Sequence, residues 1–381
     1  MFEKIVSFIK DIYKTHNGEI PLHAPVFAGN EKKYMIECVD STFVSSIGKY
    51  VDRFEIMVRE YTGAKHAVAT VNGTAALHLA LLLAGVSRDD EIITQAVTFV
   101  ATANAISYCR AHPIFLDSDR VTLGLIPDAL ETFLQEQCVQ EDDGFTYNKV
   151  TGRKISACIP MHVFGHPVRI DQIKSICANY NIVLVEDAAE SIGSLFGEKH
   201  TGTFGKLGIL SFNGNKIITT GGGGMILTDD DELGGKAKHL STTAKSPHPW
   251  NYIHDYVGFN YRLPNINAAL GCAQMEQLTG FIDNKRKLAA QYKDFFSSIG
   301  IPFITESEGC RSNYWLNAII LKNHEERDAF LEYSNTHGVM TRPIWTLIPR
   351  LKMYKYSQTD GLRNARWLED RAVCIPSGVT T

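Results

Sequence analysis

Two residues set the chemistry this chain could do. Asp187 follows the apolar run Ile182-Val183-Leu184-Val185-Glu186, and Lys216 closes Ser211-Phe212-Asn213-Gly214-Asn215-Lys216. A carboxylate and a primary amine in one pocket are what a pyridoxal phosphate ring asks of a protein. The ring withdraws electrons only while its nitrogen stays protonated, which a carboxylate at ring distance enforces, and its aldehyde needs a lysine amine for a Schiff base. Asp187 and Lys216 are the candidates for those two catalytic jobs.

Taken alone, a lysine in Asn-Gly-Asn-Lys reads as a solvated turn residue. Its neighbours argue otherwise: Ser211 has a hydroxyl that could reach a phosphate, and Gly221-Gly222-Gly223-Gly224 lets backbone approach a ligand closely. No Gly-Lys-Ser/Thr opens a helix there, so the glycine run is expected to be a hairpin shaping the site and not a nucleotide loop. Upstream, Asn72-Gly73-Thr74-Ala75 follows a strand-like run and starts a helical one. Free N–H groups at such a helix start make Gly73, Thr74 and Ala75 a phosphate seat, or else an ordinary capped core helix. Phe99, just past another strand, could stack on a planar ring or fill the core. Glu190, three residues after Asp187, could hydrogen-bond a ring hydroxyl or cap its own helix. His162 and His166 are four apart, but Gly165 and Pro167 argue against the helix that a metal pair requires. No metal site is expected.

The elements that must position these residues are visible as alternating patterns. Strand-like runs lie at 67–71, 91–94, 113–116, 157–161, 182–185 and 209–212, separated by amphipathic stretches. That alternation predicts an α/β fold with a mostly parallel sheet, whose strand ends carry the ligand. Residues 1–24 form an N-terminal amphipathic helix extension, residues 25–255 the large cofactor-binding domain, and residues 256–381 a smaller C-terminal domain. Within the latter, one long helix is expected over 268–296, then a strand at 317–321 and a helix at 325–337. Residues 136–154 read as a polar, irregular excursion.

Composition closes off other classes. The chain has 381 residues, 44% hydrophobic and 21% charged, with a net charge of −4 and no basic stripe for nucleic acid. The longest apolar stretch, 75–86, falls well short of the roughly 20 residues that span a bilayer. Cys38, Cys109, Cys138, Cys158, Cys177, Cys272, Cys310 and Cys374 stand singly, which suits a reducing cytoplasm.

With Asn-Gly-Thr-Ala-Ala-Leu, Thr-Phe-Val-Ala-Thr, Glu-Asp-Ala-Ala-Glu, Ser-Phe-Asn-Gly-Asn-Lys and Gly-Phe-Asn-Tyr-Arg in this order, the chain resembles the DegT/DnrJ/EryC1/StrS sugar aminotransferases from about Pro21 onward. The resemblance implies the fold type I aminotransferase architecture, pyridoxal 5'-phosphate as cofactor, and a homodimer with shared active sites. It gives Lys216 the Schiff base, Asp187 the pyridine nitrogen, Thr74, Ala75 and Ser211 the phosphate, and Phe99 the ring face. Asn260 matches an asparagine that reaches the phosphate of the neighbouring subunit's cofactor. At Glu190 many relatives carry glutamine or histidine.

Residues 213–220 are similar to the branch that aminates UDP-4-keto-6-deoxy-N-acetylglucosamine with glutamate, for bacillosamine or legionaminic acid precursors. The N-terminal helix and the 136–154 excursion look most like the legionaminic acid members. A 3-keto or dTDP-linked sugar is the alternative, and a non-enzymatic regulatory protein is the remaining one. Lys216 argues against the dehydratases of this fold, which carry histidine there.

Overall fold

The computed structural model describes residues 1–15 and 18–380. Seven strands build the central sheet: β1 (His66–Thr70), β2 (Glu91–Gln95), β3 (His112–Leu116), β4 (Ile155–Ile159), β5 (Val183–Asp187), β6 (Leu207–Ser211) and β7 (Gly224–Thr228). Their order is β1-β7-β6-β5-β4-β2-β3. The run from β6 to β3 is parallel, and β7 lies antiparallel between β1 and β6. The sheet is therefore mixed but mostly parallel. Strands β2, β4, β6 and β7 are buried at every residue, so the continuous apolar runs of the sequence are the signature of a sheet covered on both faces.

The covering helices explain the rest of the pattern. Of those used below, α1 spans Phe2–Ile12, α2 Gly73–Leu83, α3 Val100–Tyr108, α4 Asn265–Met275, α5 Leu278–Ser298 and α6 His324–Thr336. Helix α2 is apolar all round, as a helix sandwiched in the interior must be. A second, three-stranded sheet combines β8 (Asn317–Ile320), β9 (Arg342–Pro343) and β10 (Ala372–Ile375) in the order β8-β10-β9, with antiparallel pairing. Helix α1 docks there: Ile5, Val6 and Ile9 pack with Leu288, Tyr292, Phe296 and Val373. Phe8 stacks on Phe295 with ring centroids 3.8 Å apart. Each fully buried aliphatic of this seam contributes about 1.5–3 kcal/mol, enough to hold an eleven-residue helix that is marginal in isolation.

Three expectations are refined. The 136–154 excursion is ordered as a hairpin, Cys138–Gln140 against Thr146–Asn148, whose turn is set by Gly144 at φ +81° and by the Asp143 carboxylate accepting from Phe145 N. The helical pattern over 268–296 breaks into α4 and α5 at Glu276-Gln277, because both side chains are drawn to other helices. Glu276 bonds Asn30, Tyr34 and Arg53, and Gln277 bonds Glu31. The glycine run lies within a β6–β7 hairpin, whose connection is the long 212–223 loop bearing Lys216.

Gly224 marks the closest approach in this arrangement. A Cβ there would meet the Asn72 carbonyl at 2.5 Å, just where α2 begins. Gly224→Ala is expected to wedge β7 from α2 and cost about 1–3 kcal/mol, as overpacking typically does. A urea denaturation midpoint equal to that of the parent protein would contradict the close packing.

Candidate active site

The carboxyl ends of the parallel strands gather nearly every residue of interest. Asp187 is the last residue of β5 and is 2% exposed. Its Oδ2 accepts from the Thr102 hydroxyl of α3 at 2.7 Å and its Oδ1 from Ala189 N at 3.2 Å. Burial pushes this carboxylic acid above its usual range; Thr102, the Ala189 amide and the Lys216 charge oppose that. A charged carboxylate can accept more than these two bonds, so it retains capacity for a cationic N–H donor. A protonated pyridine nitrogen is such a donor.

Glu190 and Lys216 meet in the same pocket. Lys216 Nζ lies 3.1 Å from Glu190 Oε1 and 3.8 Å from the centroid of the Trp315 ring. The other oxygen of Glu190 accepts from Phe164 N at 2.9 Å. Burial raises the Glu190 acid to about 7, with the lysine pulling in the opposite direction. Trp315 is itself fixed, donating its indole N–H to the Asn215 carbonyl at 2.7 Å. The loop on the other side of Asp187 is anchored by Glu186, which accepts from His162 Nε2 and from the N–H groups of Gly202, Phe204 and Gly205. Val168 N donates to His162 Nδ1. His162 thus braces the Glu186 carboxylate from one ring nitrogen and the Val168 amide from the other.

The phosphate seat is assembled by packing. Asn72 caps α2 by accepting from Ala75 N at 2.8 Å, so the amides of Gly73 and Thr74 are the first-turn donors left for an anion. A Cβ at Gly73 would come within 2.9 Å of Ser211 Cβ, which places the Ser211 side chain at that helix start. Phe99 stands at the N-cap of α3, three residues before Thr102, and is 49% exposed with its ring 6.1 Å from that of Trp345. These groups fit pyridoxal phosphate: a cradle for the phosphate, an aromatic face, a carboxylate and a lysine. Asn260 stands apart, exposed and accepting from Arg262 Nε at 3.0 Å.

Thr102, Trp315 and the Phe164 amide were not singled out from the sequence. Thr102 carried a signal, lying four residues after Thr98 in the same hydroxyl-bearing segment; Thr98 precedes α3, and the two hydroxyls stand 2.9 Å apart. Trp315 carried none, being a hundred residues from the carbonyl that fixes it.

A mixed, mostly parallel sheet with a lysine and an aspartate at its strand ends defines a pyridoxal-phosphate enzyme of the aminotransferase fold. The DegT/DnrJ/EryC1/StrS aminotransferase family model matches residues 26–381, and the chain belongs to that family, whose aminotransferases depend on pyridoxal phosphate. The GDP-perosamine synthase of Escherichia coli O157:H7 is 37% identical to it, over 94% of this chain and 93% of that one. The GDP-perosamine synthase of Vibrio cholerae is 35% identical over 88% of each. Among solved structures, the aminotransferase TlmJ from Streptoalloteichus hindustanus superposes with a TM-score of 0.85 at 25% identity, covering 94% of both chains.

The Glu190 environment has a measurable sign. Its acid is raised from 4.5 to about 7 on folding, so between those values the folded state binds more protons than the unfolded one, and stability falls as pH rises. At about 1.4 kcal/mol per pH unit the contribution is on the order of 3 kcal/mol. Glu190→Gln should remove it, so that the stability difference between variant and parent, from urea denaturation, shifts by that order between pH 4.5 and 7.5. A pH-independent difference would contradict the buried acid.

Proposed function

We propose that this protein is a cytoplasmic, homodimeric aminotransferase that moves an amine from glutamate to the keto carbon of a nucleotide-linked sugar. The observation that carries the reading is the meeting of Lys216, Glu190 and Asp187 at the strand ends. Pyridoxal phosphate, when bound, supplies the electron sink and carries the amino group between the half-reactions. Asp187 keeps the ring nitrogen protonated. Gly73, Thr74 and Ser211 hold the phosphate, and Phe99 covers the ring. Lys216 Nζ takes and returns the proton at the substrate carbon that gains or loses nitrogen. Glu190 and the Trp315 face stabilise that amine as an ammonium when it stands free.

Asn260 supports the dimer by its position: it is exposed in its own chain, as a residue serving a neighbouring site would be. Eight free cysteines, seven of them buried, support a reducing compartment. Among the described residues no helix is long and apolar enough to cross a membrane.

The nucleotide divides two readings. Two relatives named GDP-perosamine synthase favour a GDP-linked keto sugar. Residues 213–220 favour UDP-4-keto-6-deoxy-N-acetylglucosamine, with a legionaminic acid or bacillosamine-type product. Recognition of a base rests on paired buried polar groups, and an unpaired one costs about 1–3 kcal/mol. One nucleotide should therefore be preferred by at least about tenfold in kcat/KM, measured with glutamate and matched GDP-, UDP- and dTDP-keto sugars, 3-keto isomers included. A GDP preference bears out the first reading and a UDP preference the second. Turnover of none of them would contradict a nucleotide-sugar aminotransferase.

A further inference from the structure

Four aromatic rings run in series from the edge of the site to its lysine. The Phe99 ring lies 6.1 Å from Trp345, Trp345 lies 5.2 Å from Phe164, and Phe164 lies 6.3 Å from Trp315, whose face receives Lys216 Nζ at 3.8 Å. Phe99 and Trp315 already have tasks there. Phe164 is a post: it is buried, and its backbone takes a left-handed φ of +56° that bulky residues seldom adopt. Its amide holds Glu190 and its carbonyl accepts from Leu316 N. Trp345 is the ring whose task is open.

The chain around Trp345 is pinned on both sides. Just after β9, Ile344 N donates to the Ala372 carbonyl at 3.1 Å, and Leu347 N donates to Glu369 Oε1 at 3.0 Å. Ile348 N donates to the carbonyl of Ala96, at the start of the loop that presents Phe99. Trp345 thus comes from the C-terminal elements yet is fixed beside the strand ends. Its ring is tilted by 56° to Phe99 and by 54° to Phe164, so neither neighbour stacks on it. Trp315 and Trp367 each carry a cation over the ring, Lys216 on the first and Arg120 and Arg371 on the second; among the described residues no cation covers Trp345. With Trp345 only partly buried and Phe99 49% exposed, a rigid aromatic corner faces water beside the cofactor seat.

The two substrates of a transamination differ in what such a corner can offer them. Glutamate brings two carboxylates on a short stem, and the negative face of an aromatic ring gains nothing from an anion. A sugar ring brings a face of C–H bonds, which an indole covers well, while its hydroxyls stay free for polar partners. We propose that Trp345 is the platform on which the sugar ring of the acceptor lies, holding the keto carbon beside Lys216. The proposal rests on the aminotransferase reading and adds to it a residue that positions the sugar and has little to do with the amino donor.

The test compares cofactor-loaded parent, Trp345→Leu and Trp345→Phe. Leucine keeps apolar bulk against Phe99 and Phe164 but removes the ring, and phenylalanine restores one. Binding is measured by calorimetry with GDP-mannose and UDP-N-acetylglucosamine as unreactive nucleotide sugars, and with GDP and UDP as their sugarless counterparts. For the nucleotide sugar that the parent binds more tightly, Trp345→Leu should weaken affinity at least about tenfold more than it does for the bare nucleotide, with most of the loss recovered in Trp345→Phe. The rate of the glutamate half-reaction should change far less than the sugar affinity. Equal weakening of nucleotide sugar and nucleotide, a sugar affinity untouched by leucine, or a glutamate half-reaction impaired as much as sugar binding would each overturn the platform. Loss of cofactor absorbance in both variants would make Trp345 a prop for Phe99 and overturn it too. A parent protein inert towards glutamate would instead strike the aminotransferase reading.

Discussion

A carboxylate held out of water with an unfinished set of hydrogen bonds is the constraint on which this structure turns. Asp187 has one hydroxyl and one amide for partners, and burial of such a charge is unfavourable unless something cationic completes it. The position of the residue at the end of an interior strand creates the problem, and pyridoxal phosphate, with a protonated ring nitrogen, resolves it. The surrounding architecture serves that exchange. Thr102 fixes one oxygen from α3, while Glu186, facing away from the site, clamps the following loop by three hydrogen bonds and His162 by a fourth, so that β5 ends where it must.

The remaining charges are arranged so that none is stranded except by design. Lys216 rests between Glu190 and the indole of Trp315, two partners it can leave and return to as its nitrogen bonds elsewhere. The 212–223 connection that carries it is long for a hairpin, yet it is pinned at both strand ends and by the Trp315 N–H on Asn215. Lys285 has no such balance: it is buried against the carbonyls of Trp315 and Ser377, neither of which carries charge.

Much of this was legible in the sequence because the sheet is interior. Strands buried on both faces read as unbroken apolar runs, and their carboxyl ends pointed to Asp187, Ser211 and Lys216. The excursion at 136–154 was less legible, since a hairpin made mostly of polar residues has no apolar period to betray it. The division of α4 from α5 was hidden because Glu276 and Gln277 are good helix formers whose partners lie more than two hundred residues away. Trp315 was invisible for the same reason: it acquires its meaning only when the C-terminal elements fold back onto the strand ends. The GDP-perosamine synthase relatives likewise unsettled the UDP-linked expectation, because a short segment near the lysine reports on cofactor handling more directly than on the base of a nucleotide.

The central claim is that Lys216 is the residue bonded to the cofactor. Borohydride reduction of the pyridoxal-phosphate-loaded protein, followed by peptide mass mapping, tests it most directly. The account predicts a single stoichiometric adduct on Lys216 that vanishes in Lys216→Ala. An adduct on Lys285 or any other lysine, with Lys216 unmodified, would contradict it.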